Sequence, residues 1–383
     1  MSNWRIPLSD LDYGQEESIA VQRVLDSRWL SMGTEVSRFE EQFAAMCGVK
    51  HAIAVSNGTA ALHLSFLALG IGSGDEILQP ALNFVAAANM TIAIGATPVF
   101  GDIISLDEPT ISPDEIKKLL TPRTKAIVVM HYGGYSARMA EIKSICNDRH
   151  VALVEDACHA VGSRYFHRQN LPPHGSMVGA LGDVACFSFF GNKNLATGEG
   201  GMITTDRDDL AEKLRKLRSH GMTTLTWDRH MGHANGYDVV TNGFNCRMDE
   251  IHAALGTEQL KKLKKGNARR GELTQLYRAK LSQLAGWTLP FLKYKGDSSC
   301  HLMVVLAPDK TTRTNILARL KEQRIQTSQH YPCIPDFSAF SKWRLSNVPL
   351  TREFAGRVMT LPLYPGMTEK MVDEVCQTLG TAK

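Results

Sequence analysis

The sequence predicts an α/β protein, with a large, mostly parallel sheet covered by helices on both faces and a smaller α+β unit after it. Three observations lead there. Short β-branched runs alternate with helical runs through about residue 205, the pattern that builds a parallel sheet through crossover helices. The uncharged stretch from Ile77 to Gly101 is broken by Pro80, Asn83, Asn89, Gly95 and Pro98, so it reads as strand, loop, helix and strand instead of one membrane span. Beyond residue 205 the texture shifts to charged helices and isolated short strands. At roughly 150 residues per domain, a chain of 383 residues predicts two to three domains. We divide it at residues 1–265 and 266–383.

Element by element, Glu16-Glu17 opens a helical run to Leu25, and a second run, Glu35 to Cys47, follows the Gly33-Thr34 break. His51–Val55 is a strand, Ser56-Asn-Gly-Thr59 a loop and Ala60–Leu69 a helix. Asp75–Leu78, Ala126–Val129, Val151–Val154, Val184–Phe189 and Gly201–Thr205 repeat the strand signal. Asp209–Arg218 is a charged helix. Gly221 to Gly243 is a long loop rich in Gly, His, Thr and aromatics, of the kind that is functional or ordered by a partner. Asp249–Arg278 is helical, and its Lys261–Lys265 run is a solvated face. His301–Leu306 is a strand and Arg313–Gln323 a helix of the smaller unit.

Composition narrows the function. Hydrophobic residues make up 43% and charged residues 21%, which excludes disorder and collagen-like repetition. A net charge of +4 is too weak for nucleic acid or an anionic membrane to be the main partner. Eight scattered cysteines without a CxxC fit reduced thiols, not a disulfide framework or a zinc cage. The first residues lack the basic start and apolar core of a signal peptide. A cytoplasmic location is expected.

Ligands of open parallel sheets sit at the carboxyl ends of strands, and the loops there carry unusual residues. Asn57-Gly58-Thr59 opens a helix, where free N–H groups and the helix dipole suit an anion, although the same letters make an ordinary cap. Glu155-Asp156 ends a strand, where an acid is either a cap or the partner of a cofactor's charged nitrogen. Lys193 sits between two buried strands among small residues, a setting in which desolvation lowers the pKa of an amine and makes it nucleophilic. Ser188 precedes it, and Phe84 at another strand end suits a flat ring. Jointly these are the requirements of pyridoxal phosphate: a lysine for the Schiff base, a carboxylate for the ring nitrogen and donors for the phosphate.

Ordered matches along nearly the whole chain resemble the sugar aminotransferases of the DegT/DnrJ/EryC1/StrS group. They include Phe39-Glu-Glu-Gln-Phe-Ala44, Ser56-Asn-Gly-Thr-Ala-Ala-Leu62, Gly74-Asp-Glu-Ile-Leu78, Gly95-Ala-Thr-Pro-Val-Phe100, Val154-Glu-Asp-Ala157, Phe187-Ser-Phe-Phe-Gly-Asn-Lys-Asn194, Gly198-Glu-Gly-Gly201, Gly243-Phe-Asn-Cys-Arg-Met248 and Leu361-Pro-Leu-Tyr-Pro365. The resemblance implies the fold-type-I, aspartate-aminotransferase-like architecture. It assigns Lys193 to the Schiff base, Asp156 to the pyridine nitrogen and His159 to the ring-oxygen side. Gly58, Thr59 and Ser188 fall to the phosphate, Phe84 to the ring face, and Asn245 to the phosphate of the neighbouring subunit. A homodimer with shared active sites follows.

The activity implied is transfer of an amino group from an amino acid, L-glutamate, to a nucleotide-linked keto-deoxysugar, with pyridoxamine phosphate as the intermediate cofactor form. A keto-cyclitol acceptor is the alternative. A sugar dehydratase is disfavoured because such relatives replace the lysine with histidine, and a non-catalytic regulator because Lys193, Asp156 and Ser188 are intact. Some features depart from the family: Arg28 before Trp29, Asn83 before Phe84, no second histidine after Tyr331-Pro-Cys-Ile-Pro335, and a long segment from Phe166 to Leu181. His220, His230, His233 and Cys246 match no zinc spacing. The glycines at 198–201 are not a dinucleotide fingerprint. Nothing ranks Lys216 or Arg229 as a diphosphate ligand.

Overall fold

The computed structural model describes residues 4–165, 176–224, 227, 230–232 and 236–380. Its centre is a seven-stranded sheet of β1 (His51–Val55), β2 (Glu76–Pro80), β3 (Thr97–Gly101), β4 (Thr124–Met130), β5 (Ala152–Asp156), β6 (Val184–Ser188) and β7 (Gly201–Thr205), in the order β1-β7-β6-β5-β4-β2-β3. The strands from β3 to β6 pair in parallel, while β7 is antiparallel to both β6 and β1. The exception has a local cause. A parallel return needs a long crossover, usually a helix, and the loop 189–200 that joins β6 to β7 forms none. That loop therefore stays at the carboxyl end of β6, and Lys193 stays with it.

Strand alternation sends successive side chains to opposite faces, and each face has its own core. Ile53, Val55, Ile77, Val128, Val154 and Cys186 pack under α3 (Gly58–Ala68), α4 (Ala86–Ala93) and α7 (Asp208–Arg218). Ala54, Leu78, Ile127, Leu153 and Phe187 pack on the other side, against α2 (Thr34–Cys47), α5 (Pro113–Leu119), α6 (Met139–Arg149) and the first half of a 32-residue helix, Glu250–Leu281. Ahead of α2 runs α1 (Gln15–Ser27), and we label the long helix α8. Phe39 and Phe43 of α2 meet Phe189 and Phe187 with ring centroids 5.4 and 5.0 Å apart. Full burial of each such ring is worth about 1.5–3 kcal/mol.

The second unit contains the antiparallel pair β8 (Met303–Leu306) and β9 (Val358–Leu361) with α9 (Lys310–Glu322), α10 (Pro349–Arg357) and α11 (Glu369–Gly380). Leu273, Tyr277 and Leu281 from the distal half of α8 enter its core, as does Ile6 from the start of the chain. The long helix thus runs unbroken past residue 265 and serves both cores. Two boundaries differ from expectation for capping reasons. The N–H groups of His301 and Leu302 both turn to the Gly133 carbonyl, which delays β8, and Asp309 accepts from the Thr312 N–H, which starts α9 a turn early.

α8 also fixes the start of α2. The buried Glu250 carboxylate accepts N–H bonds from Gly33, Glu35 and Val36 at 2.8–2.9 Å, completing the otherwise unpaired first turn of that helix. A Cβ on Gly256 would come within 2.6 Å of the Phe39 ring, so the two helices cross in close contact. Removing the carboxylate strands three buried N–H groups. We expect Glu250→Ala to lower the apoprotein's stability by roughly 2–4 kcal/mol, read as a fall in melting temperature, with Glu250→Gln intermediate. Wild-type melting of the alanine variant would contradict this role.

Candidate active site

The two acids that end β5 point in opposite directions. Glu155 faces the α2 side, where its oxygens accept from His131 Nε2 (2.8 Å), the Tyr165 hydroxyl (2.6 Å) and the N–H groups of Gly179, Leu181 and Gly182. Burial pushes this carboxyl up, but the bonds from His131, Tyr165 and Gly182 outweigh it and hold the group below the ordinary range. It is a satisfied structural anion. Asp156 faces α3 instead. It is buried, and its oxygens accept from the Asn83 side-chain amide at 3.0 Å and the Cys158 N–H at 3.3 Å.

On that same face lies the first turn of α3. Asn57 caps it through the Ala60 N–H at 2.8 Å, so the cap reading and the anion reading coexist: the N–H groups of Gly58 and Thr59 remain in the helix's unpaired first turn. A Cβ on Gly58 would lie 2.9 Å from Ser188 Cβ and 3.2 Å from Cys158 Sγ, and one on Gly201 would lie 2.5 Å from the Asn57 carbonyl carbon. Glycine at both positions lets the helix end seat directly on β6 and β7. Gly58, Ser188, Cys158 and, through Cys158, Asp156 are thereby brought together. Thr59 stands in the same turn, half-buried.

Lys193 is half-buried in the loop 189–200, its N–H turned back to the Phe190 carbonyl at 2.8 Å. The flanks are pinned. Tyr13 donates its hydroxyl to Ala196 O at 2.7 Å, and Asn194 donates to Asn267 of α8 and to Ser299 O. Desolvation lowers the Lys193 pKa, while Cys158 and Asp156 nearby oppose the shift. The Cys158 thiol itself is held well above its ordinary value, first by burial and then by Asp156, so it stays a neutral neighbour.

His159 is buried, stacked on Tyr331 at 5.8 Å, with the tilted ring of His301 4.4 Å away. The Gly133 N–H donates to its Nδ1 at 3.3 Å, which leaves Nε2–H to donate to the Tyr331 hydroxyl at 2.8 Å. Burial, then Lys193, drives His159 and His301 well below the usual histidine value, and the same causes put His330 at about 4. All three are neutral at physiological pH. Phe84 is 54% exposed, with its ring 5.9 Å from that of Tyr331 and tilted 53° to it. His301, His330 and Asn83 were not singled out by sequence. Asn83 alone left a trace there, as a departure from the family pattern.

Asn245 is exposed, on a segment tied to the end of β1 by the Ser56 N–H bond to Cys246 O. A cavity of about 520 Å³ lies at the opposite end of the sheet. Its Lys125, Arg207 and Lys213 face the carboxyl ends of α3 and α6, whose dipoles favour cations, so it is no anion site. A gap of about 20 Å³ lies beside Asn192, His301 and His330. No metal-binding cluster occurs among the described residues. His220 and His230 are exposed, while His233, Arg229 and much of the long 166–181 segment lie outside the described residues. In the Lys261–Lys265 run, Lys261 pairs with Glu258 and Lys262 with Glu17.

The model of the DegT/DnrJ/EryC1/StrS aminotransferase family matches residues 12–380. The chain belongs to this family. It is 39% identical to the spore coat polysaccharide biosynthesis protein SpsC of Bacillus subtilis over 98% of this chain and 97% of that protein. Among solved structures, Helicobacter pylori PseC, an aminotransferase involved in the biosynthesis of pseudoaminic acid, superposes with a TM-score of 0.90 at 29% identity, covering 98% of both chains. DesI, solved in the presence of its TDP-sugar product, gives 0.86 at 28% identity and covers 98% of this chain and 92% of that one. DegT/DnrJ/EryC1/StrS aminotransferases are pyridoxal-phosphate enzymes of this α/β fold, and the chain is a pyridoxal-phosphate-dependent aminotransferase. The residues fit the cofactor: an amine of lowered pKa, a buried carboxylate, and a helix N-terminus that Gly58 lets pack directly beside Ser188.

The neutral histidines set an acid limit on this arrangement. Unfolded, His330 binds a proton below about pH 6.5, and folded only near 4. The unfolded chain therefore binds more protons as pH falls through that window, and stability drops by on the order of 3 kcal/mol at pH 4. Apoprotein melting should fall more steeply from pH 6.5 to 4 than in His330→Asn. Parallel curves would show that His330 is not the titrating group.

Proposed function

We propose that this enzyme moves an amino group from an amino acid, L-glutamate, to the keto carbon of a nucleotide-linked deoxysugar, in the synthesis of amino sugars. The observation that carries the reading is the convergence of Lys193, Asp156 and the first turn of α3 at the carboxyl ends of β5 and β6. Two similar proteins support the substrate class: DesI was solved in the presence of its TDP-sugar product, and PseC is an aminotransferase involved in the biosynthesis of pseudoaminic acid. A keto-cyclitol acceptor is the alternative that an acceptor panel separates.

Pyridoxal phosphate, when bound, supplies an electron sink and the carbon that carries the amino group between the two half-reactions. The chain supplies the rest. The first turn of α3, with Gly58, Thr59 and Ser188, binds the phosphate through N–H and hydroxyl donors. Asp156, its charge met by N–H donors, keeps a proton on the ring nitrogen. Phe84 would lie on a face of the ring, and His159 would stand on its ring-oxygen side. Lys193 would hold the cofactor covalently, and its amine would move the proton at the donor's α-carbon. A lowered pKa leaves more of this amine in the neutral form that accepts that proton. The surrounding rings limit water, so the proton stays in the site.

The same reading makes the enzyme a cytoplasmic homodimer. Among the described residues no helix is long and apolar enough to cross a membrane. Leu11, Ile19, Leu25, Leu30, Phe190 and Val239 are exposed on the elements around the site, an apolar surface suited to a second copy. Such a copy would bring its exposed Asn245 to the phosphate. Residues 1–265 then form the cofactor-holding part, and residues 266–383 close over the substrate.

The test is the visible spectrum of the purified protein. A cofactor band that glutamate converts to the pyridoxamine form, and that a keto-sugar nucleotide restores, is the expected result. Lys193→Ala should lose covalent attachment and reduce turnover by at least a thousandfold, while still binding pyridoxamine phosphate. Near-normal turnover in that variant would overturn the assignment. A band indifferent to glutamate would replace the donor and leave the cofactor site intact.

A further inference from the structure

Asn83 is 2% exposed, in the turn between β2 and α4, and its side chain faces two functional groups at once. Its Nδ2 donates to Asp156 Oδ2 at 3.0 Å, and its Oδ1 accepts from the Phe84 N–H at 2.7 Å. The partners fix the amide's orientation, because a carboxylate needs a donor and an N–H needs an acceptor. Lys193 acts on Asp156 through space, but no cationic side chain pairs with that carboxylate among the described residues. Among the described residues its hydrogen-bond donors are the Asn83 amide and, over a longer distance, the Cys158 N–H. Asn83 is therefore the shorter of the two contacts that orient the carboxylate.

We propose that Asn83 is a positioning residue for the pyridoxal phosphate ring, one amide that ties the carboxylate at the ring's nitrogen edge to the aromatic side chain at its face. Donation to Asp156 keeps the carboxylate aimed at the nitrogen. Acceptance from Phe84 fixes the backbone from which that ring projects, so edge and face keep a constant spacing. The inference rests on the assignment of Lys193, Asp156 and Phe84 made above.

The substitutions separate the two bonds. Asn83→Ala removes both. Asn83→Asp is nearly isosteric and still accepts from Phe84, but it sets a second carboxylate against Asp156. Two adjacent carboxylates share one proton more readily as pH falls, which restores a donor to Asp156. The other titratable groups near Asp156 are Lys193, Cys158, Cys186 and Tyr331, and all are common to the variant and the parent. Asn83→Thr keeps a hydroxyl able to donate.

Cofactor affinity is read by equilibrium dialysis of pyridoxal phosphate against the full-length apoprotein, with circular dichroism melts to confirm folding. The alanine variant should bind roughly tenfold to a hundredfold more weakly, the loss of a bond to a charged group. The threonine variant should stay within a few fold of wild type. The aspartate variant should bind weakly at pH 8 and recover by about tenfold or more at pH 6, relative to wild type. Wild-type affinity in the alanine and aspartate variants, or an aspartate deficit equal at both pH values, would overturn the proposal. Borohydride reduction of wild type followed by peptide mapping keeps the assumptions apart. Absence of label at Lys193 would remove the site assignment itself, whereas label at Lys193 with unaltered variants would remove only the role of Asn83.

Discussion

One buried carboxylate organises the end of the sheet where the chemistry sits. Glu155 accepts bonds from β4's neighbour His131, from Tyr165 and from three N–H groups between residues 179 and 182, so it ties β4, β5 and the approach to β6 together. An unpaired carboxylate at that depth would be ruinous, and a paired one constrains every group that pays attention to it. Because β5 alternates, fixing Glu155 toward the α2 face sends Asp156 to the α3 face. Asp156 owes its direction to this structural acid.

The same face shows how the chain arranges charge without filling the site with ions. Asp156 and Lys193 are the charged groups there, and the three surrounding histidines are neutral because burial and the nearby amine disfavour their charged forms. A neutral imidazole with a fixed tautomer, as in His159, gives both a flat surface and a directed N–H. Cys158 is likewise kept as a thiol. An anionic cofactor entering such a site meets N–H groups at the end of α3, not a crowd of competing cations.

Glycine determines how close these parts come. Gly58 and Gly201 let α3 rest against β6 and β7 at distances that any Cβ would block, and the helix end thereby reaches the plane of Asp156 and Ser188. The loop with Lys193 is held from three sides, by Tyr13 near the chain's start, by α8 through Asn267 and by the second unit through Ser299. The lysine's position is thus shared among segments far apart in sequence.

Much of this was legible in the sequence. The strands His51–Val55 and Gly201–Thr205, the helix ending at Cys47 and the loop around Lys193 follow from local periodicity and glycine placement, which depend on neighbouring residues alone. Ordered motifs along the chain carried the family. What periodicity cannot carry is the partner of a side chain. Glu155 and Asp156 are adjacent acids with the same local signal, and only the hydrogen bonds that close on one of them decide which is structural. His301 and His330 lie in stretches without any motif of their own, yet the second unit folds them against His159. The sequence by itself determined most strands of the large sheet and the family, since these rest on short-range pattern and ordered motifs. The tertiary structure decided which buried groups face one another, because that depends on long-range packing which no window of sequence contains.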